Sequence, residues 1–291
     1  MKIALIIASR GRPALLASVL GHWAAQSRPL DQRIISLSSS EDAGDLAVGL
    51  VDNTVIGPAG LCMQRNRALD ALTPTGADLV IFADDDYIPS RDFVREVEVL
   101  FGGNSDIVVA TGNVLADGVT SGGIAYTDAI KCVSDYDAKW AGKNSEISDT
   151  TGAYGCNMVI RWSADCTIRC DERLPLYGWQ EDIDYSRQYR EYGRIVHTDA
   201  FAGVHMGSQG ARSPGKRLGY SQVINPVYLI LKGTMPARFG LRLLVRNILS
   251  NIRGAVLGDA HIDRFGRLNG NLLALRHLLL GRVRPEHVLS L

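Results

Sequence analysis

The chain has 291 residues, with 31 Lys+Arg against 31 Asp+Glu, 46% hydrophobic and 21% charged residues. This length and composition fit one large globular domain, or a domain with an appendage, and exclude disordered and fibrous classes. The neutral total argues against nucleic-acid binding but conceals a split: residues 211–291 hold 13 Lys+Arg and 3 Asp+Glu, residues 1–210 hold 18 and 28.

In chain order, Ile3 to Ala8 is a continuous apolar run suited to a central parallel strand. It is too short for a signal peptide, and no stretch approaches the ~18 apolar residues of a spanning helix, so a cytoplasmic location is expected. Pro13 opens a helical stretch to about Gln26, and Arg33 to Leu37 and Leu50 to Val55 read as strands. Gly57 to Gly60 is a turn, Leu61 to Leu72 has helical periodicity, and Asp78 to Ala83 is another buried strand. Ile107 to Gly112 gives one more strand, then a Gly-rich region to Gly123. The polar stretch Thr127 to Asp149 carries no assignable pattern, which leaves room for a mobile loop over a site, and Met158 to Trp162 reads as a strand. Asp182 to Tyr192 reads as a helix capped by Gly193, and Arg194 to His197 as a short strand. Val223 to Lys232, Phe239 to Leu257 and Leu268 to Leu280 are helical and rich in Leu and Arg. Alternating strands and helices imply an α/β fold with a mostly parallel, Rossmann-like sheet. Cys62, Cys132, Cys156, Cys166 and Cys170 read as buried thiols rather than a disulfide scaffold.

Asp84-Asp85-Asp86 directly follows the strand ending at Ala83. Ligands of open α/β sheets bind beyond the carboxyl ends of strands. Adjacent carboxylates there can hold a hard divalent cation together with substrate phosphates. The segment Asp171 to Asp184 is acidic and aromatic, and Glu181-Asp182 stands at a helix start, where the dipole favours the ionised form. A carboxylate so placed can take a proton from an attacking hydroxyl, or simply cap the helix. Trp179, three residues upstream, offers a face on which a sugar could stack. Gly152 to Met158 reads either as a ligand-lining stretch, since small residues let backbone approach closely, or as a tight turn.

These segments together resemble an inverting family 2 glycosyltransferase of GT-A fold over about Lys2 to Gly210. Ile6 to Pro13 is similar to the family's first strand and loop, Gly60 with Arg65-Asn66-Arg67-Ala68-Leu69 to its "G…RNxAL" helix, Phe82 to Pro89 to its DXD region, and Asp171 to Asp184 to its "FDE…GxED" motif. The resemblance implies a nucleotide-diphosphate sugar donor contacting Ala8, Ser9, Arg10, Arg12, Ser38, Arg65, Asp84 and Asp85. It implies a divalent metal, Mn²⁺ or Mg²⁺, on Asp84, Asp86 and His205, and a catalytic base at Asp182. Acceptor contacts are expected from Gly155, Trp179 and Glu181, with Asp184 in capping or acceptor contact. The acceptor would be a glycan or lipid-linked hydroxyl in polysaccharide or glycolipid assembly. The second strand departs from the family pattern: it ends Ser38-Ser39-Ser40 where an acidic pair commonly reads the base, leaving serine hydroxyls or Asp42 for that task.

The expected organisation is a GT-A domain over 1–215, with a nucleotide-sugar half to about 112 and an acceptor half from 113, and a basic helical extension over 216–291. Arg212, Lys216 and Arg217 lie in a basic loop able to fold over a diphosphate. Arg238, Arg242, Arg246 and Arg253 are spaced 4, 4 and 7 apart, near one helical face. That basic amphipathic helix fits either peripheral contact with the inner face of the plasma membrane or packing on the acidic half. Two other functions share the sheet pattern: a sugar-nucleotide-forming nucleotidyltransferase, which leaves the Glu181-Asp182 segment unexplained, and a non-catalytic nucleotide-sugar-binding module. A dinucleotide oxidoreductase is disfavoured because no GxGxxG follows the first strand.

Overall fold

The computed structural model describes residues 1–72, 76–119, 121–140, 145–163, 165–208, 214–259 and 262–291. Its frame is the apolar strand β1 (Ile3–Ser9), flanked by β2 (Gln32–Leu37) and β4 (Leu79–Asp84), with β3 (Asn53–Ile56) beyond β2. These four strands are parallel, and Ile3 to Ile7 and Leu79 to Phe82 are buried on both faces. Helices α1 (Pro13–Ala24) and α2 (Leu61–Asp70) cover opposite faces: Leu16, Leu20 and Trp23 enter one core, Cys62, Ala68 and Leu69 the other. Each fully buried aliphatic side chain contributes ~1.5–3 kcal/mol by leaving water.

The sheet continues through β8 (Asn157–Arg161), β6 (Ile107–Asp117), β9 (Arg194–His205) and β5 (Tyr87–Pro89), and β7 (Ile147–Asp149) pairs with β9. Six strands run one way. The other three, β5, β7 and β8, run antiparallel to their neighbours. The strand expected at Met158 to Trp162 is therefore antiparallel, inserted between β4 and β6. Its start is pinned by buried Asn157, whose carbonyl oxygen accepts from the Thr111 hydroxyl at 2.7 Å and whose amide donates to the Gly112 carbonyl at 3.0 Å.

Two further expectations are corrected, and one element was not anticipated. In the polar stretch expected as a loop, residues 127–140 belong to α4 (Tyr126–Trp140), which buries Ala129 and Val133, and Ile147–Asp149 form β7. The strand expected at Arg194 to His197 extends to His205, twelve residues long. A helix not expected from the sequence, α3 (Phe93–Gly103), packs Phe93, Val97 and Phe101 into the core.

Helix α5 (Glu181–Gln188) follows a tight loop in which Leu176 and Gln180, neither a glycine, have φ of 60° and 73°. Such conformations cost about 1–3 kcal/mol each and persist where the surroundings enforce them. After β9, helices α6 (Gly215–Lys232), α7 (Ala237–Leu257) and α8 (Arg264–Leu279) form a third apolar cluster around Tyr220, Val223, Ile224, Leu244 and Ala274. Leu229 and Met235 join the core beneath the sheet. Among the described residues no helix is long and apolar enough to cross a membrane.

Candidate active site

The site lies where β4, β6 and β9 end and β5 begins. Strand β5 pairs Tyr87 with His205, which sets Asp86 beside the imidazole. Gly203 makes this approach feasible, because a Cβ there would overlap the Ile88 carbonyl and the Tyr87 ring. Strand β6 pairs Asp117 with His205 on the other side, after three irregularities that shift its register. His205 Nε2 stands 3.5 Å from Asp84 Oδ2 and 3.3 Å from Asp86 Oδ1. Asp84, Asp86 and His205 each present a ligand atom within 4.8 Å of the others. The three residues expected as metal ligands are thus brought together, and their mixed nitrogen and oxygen set fits a borderline-hard divalent cation.

Asp117 was not anticipated. Its Oδ1 lies 3.3 Å from His205 Nδ1, and its Oδ2 accepts from the Tyr154 hydroxyl at 2.9 Å. A carboxylate behind a histidine fixes the ring so that the far nitrogen faces the cation. Burial would lower the His205 pKa, but Asp117, Asp86 and Asp84 outweigh it and push it up to about 10. Asp86, also buried, is brought down to about 2 by His205, Arg12 and the Ser208 backbone N–H, which donates at 2.7 Å. Gly207, with φ of 64°, turns the chain for that contact.

Asp85 and Arg12, expected as donor contacts, are paired with one another. Asp85 is 1% exposed, accepts from the Ser9 hydroxyl at 2.5 Å, and is gripped by the Arg12 guanidinium. Burial raises the Asp85 carboxyl to about 7 even so. Arg12 also reaches Asp86 at 3.3 Å. Its charge therefore compensates the acidic triplet, which two to three adjacent carboxylates require. Ser9 is buried with Asp85, Ala8 is half-buried and Arg10 is exposed.

Asp42 and Ser38 are also committed internally. The Asp42 carboxylate accepts from the Gly11, Ser38 and Ser39 backbone N–H groups at 2.6, 3.1 and 3.1 Å and from the Ser38 hydroxyl at 2.5 Å. Despite burial, these donors lower its pKa. The pair locks the β1–α1 loop onto the end of β2, and its free hydrogen-bonding capacity for a base is correspondingly small.

Arg65 is 2% exposed and acts as a strut. It donates to Glu181 at 2.5 Å and to the Gly155 carbonyl at 2.8 Å, lies 3.5 Å from Asp84, and stacks on Phe82. Expected as a donor contact, it has its guanidinium engaged by these internal partners. Glu181 is buried, and burial pushes its carboxyl up to about 8 against the pull of Arg65.

Asp182 stands next to this pair at the start of α5. Its Oδ2 accepts from the Gly155 N–H at 3.0 Å and its Oδ1 from the Ile183 N–H at 2.8 Å. Burial raises its pKa, and the two backbone donors and Arg65 oppose the rise. Gly155 fits between Arg65 and Asp182, where a Cβ would come within 3.2 Å of both. Trp179 is half-buried, and its carbonyl accepts from Asn225 at 2.9 Å. A small cavity beside it is also lined by Tyr177, Leu218 and Ser221. Tyr177, also unanticipated, keeps 49% of its surface exposed, and its partial burial with the charge of Asp84 and Asp182 raises its phenol. Asp184 is neither cap nor acceptor contact: it is buried, ion-paired to Lys232 at 2.7 Å and hydrogen-bonded by Thr234 at 2.5 Å, tying α5 to the C-terminal helices. Arg212 lies outside the described residues; Lys216 and Arg217 sit in the first turn of α6.

No family model matches the chain, and no curated protein matches it in sequence. Solved structures match in shape. GalNAc-T7 with UDP, GalNAc and Mn²⁺ superposes with a TM-score of 0.53 at 12% identity, covering 73% of this chain and 45% of its own. S. aureus TarS 1-349 in complex with UDP-GlcNAc gives 0.51 at 11% identity, covering 97% and 93%, and its complex with UDP gives 0.50 at 14%, covering 96% and 72%. This chain thus spans less than half of the GalNAc-T7 chain but most of the TarS fragment. These proteins are glycosyltransferases. The chain has the α/β architecture of the GT-A glycosyltransferase structures, a mostly parallel sheet flanked by helices.

Proposed function

We propose that this chain is a metal-dependent, inverting glycosyltransferase of the family 2 type, moving a hexose-like sugar from a nucleoside-diphosphate donor to a hydroxyl of a glycan or lipid-linked acceptor. The observation that carries the reading is the convergence of Asp84, Asp86 and His205 at the strand ends, one guanidinium away from Asp182. Residues 1–215 would form the transferase and 216–291 its extension.

A bound divalent cation would neutralise charge developing on the leaving diphosphate. The imidazole in the ligand set favours Mn²⁺ over Mg²⁺, which prefers oxygen alone. Asp117 and Tyr154 hold the His205 ring in register for that role. Asp182 takes the proton from the acceptor hydroxyl as its oxygen attacks the anomeric carbon opposite the leaving group, which inverts the centre. A carboxylate raised by burial is a stronger base than one in water. The backbone N–H groups of Gly155 and Ile183 aim it, and Arg65 holds Glu181 and the segment carrying Gly155 in place. Trp179 and Tyr177 supply the aromatic wall for the acceptor.

The test is turnover of a panel of UDP- and GDP-sugars with Mn²⁺ and with EDTA. Release of nucleoside diphosphate with Mn²⁺ and none with EDTA is expected. Pyrophosphate release from a nucleoside triphosphate would instead identify a nucleotidyltransferase, and no turnover of any panel member would favour a binding module.

A further inference from the structure

The outer faces of α7 and α8 leave a row of large apolar side chains in water. On α7, Leu241, Val245, Leu249, Ile252 and Val256 follow one another at spacings of 4, 4, 3 and 4, each at least 45% exposed. That spacing sets them in a single stripe. The opposite face buries Gly240, Leu244 and Asn251 against the neighbouring helices, so the stripe is surplus to packing. Phe265, Leu272 and Leu279 continue the apolar exposure on α8. Arg238, Arg242, Arg246 and Arg253 run beside the α7 stripe, and neither α7 nor α8 contains an acidic residue. Among the described residues, none of these four arginines is ion-paired. Soluble monomers rarely expose a contiguous apolar patch of this kind without a partner.

We propose that the α7 face docks on an anionic lipid surface. The row of Leu, Val and Ile supplies apolar side chains able to enter the acyl boundary, and the arginines beside it match the negative headgroups. A second copy suits the face poorly. A two-fold contact would set the same arginines of both copies against each other, with no acid on either helix to separate them. A nucleic acid would match the arginines but leave the apolar stripe unused. The inference stands apart from the catalytic reading, because it uses no residue of the cleft.

The test is co-sedimentation of the full chain with phosphatidylcholine vesicles and with vesicles that also contain phosphatidylglycerol. Binding to the anionic vesicles alone is expected, weakening as salt rises. Arg242→Gln/Arg246→Gln should lower partitioning on the order of 25-fold, at about fivefold per arginine. Leu249→Glu should abolish it while leaving nucleotide binding unchanged. All three positions are exposed, so the fold is expected to survive, and circular dichroism checks that it does. The proposal is overturned if the chain ignores anionic vesicles at low salt. It is equally overturned if Leu249→Glu binds like the parent, which would leave charge alone, or if light scattering shows a dimer that Leu249→Glu dissolves.

Discussion

Replacing Asp182 with Asn is expected to slow sugar transfer by about 10²–10⁴-fold while nucleoside-diphosphate binding stays near that of the parent. The amide cannot accept the acceptor proton, yet it has nearly the size of the carboxylate and leaves Asp84, Asp86 and His205 untouched. A structural cost accompanies the change. Both Asp182 oxygens accept backbone N–H groups, and the amide NH₂ must face one of those donors. That costs on the order of 1 kcal/mol, a loss of a few degrees in melting temperature, too little to account for the lost rate. Transfer assays alongside calorimetric titration of nucleotide separate the two effects. Turnover within threefold of the parent would remove Asp182 from the role of base.

Arg65→Met should destabilise the fold by about 3–5 kcal/mol, because it leaves Glu181 buried without its partner and strands the Gly155 carbonyl. In a chain of this size that corresponds to a drop in melting temperature on the order of 10 °C. The cost should depend on pH with a definite sign. Burial raises the Glu181 carboxyl above its unfolded value, so the native state holds the proton more tightly and loses stability as pH rises. The variant should therefore be closer to the parent at pH 5 than at pH 8. Arg65→Met/Glu181→Leu, which removes the stranded charge as well, should recover much of the loss, as expected for directly coupled residues. Urea unfolding of the single and double variants at both pH values reads this out. A single variant within 1 kcal/mol of the parent, or a double variant no better than the single, would contradict the role of Arg65 as a strut.

What the sequence makes legible here follows from how local each signal is. Strand β4 and its acidic end, helix α2 and the acidic start of α5 each announce themselves within about ten residues, through unbroken apolar runs, helical spacing and charge at a terminus. His205, Asp84 and Asp86 could be grouped because their segments resemble a known arrangement. Asp117 could not, because its place beside His205 depends on the pairing of β6 with β9 and on three register shifts that no periodicity records. The reversed direction of β8 is hidden for the same reason: a buried strand reads alike in either direction. Arg12 and Asp85 show a different limit. Residue type marked both as polar groups near a ligand, whereas their packing turns them toward one another. Helix α3 did carry a local signal, with apolar residues at Phe93, Val94, Val97, Leu100 and Phe101 on one face.

If Asp84, Asp86 and His205 hold a nucleoside diphosphate through a divalent cation, calorimetric titration of UDP and GDP into the parent and into His205→Ala, with and without Mn²⁺, will show it. At least one nucleotide is expected to bind the parent only when Mn²⁺ is present. His205→Ala is expected to lose at least tenfold in that affinity, as removal of a metal ligand or its support commonly does. Equal nucleotide binding with and without Mn²⁺, or Mn²⁺-dependent binding that His205→Ala leaves intact, would contradict it.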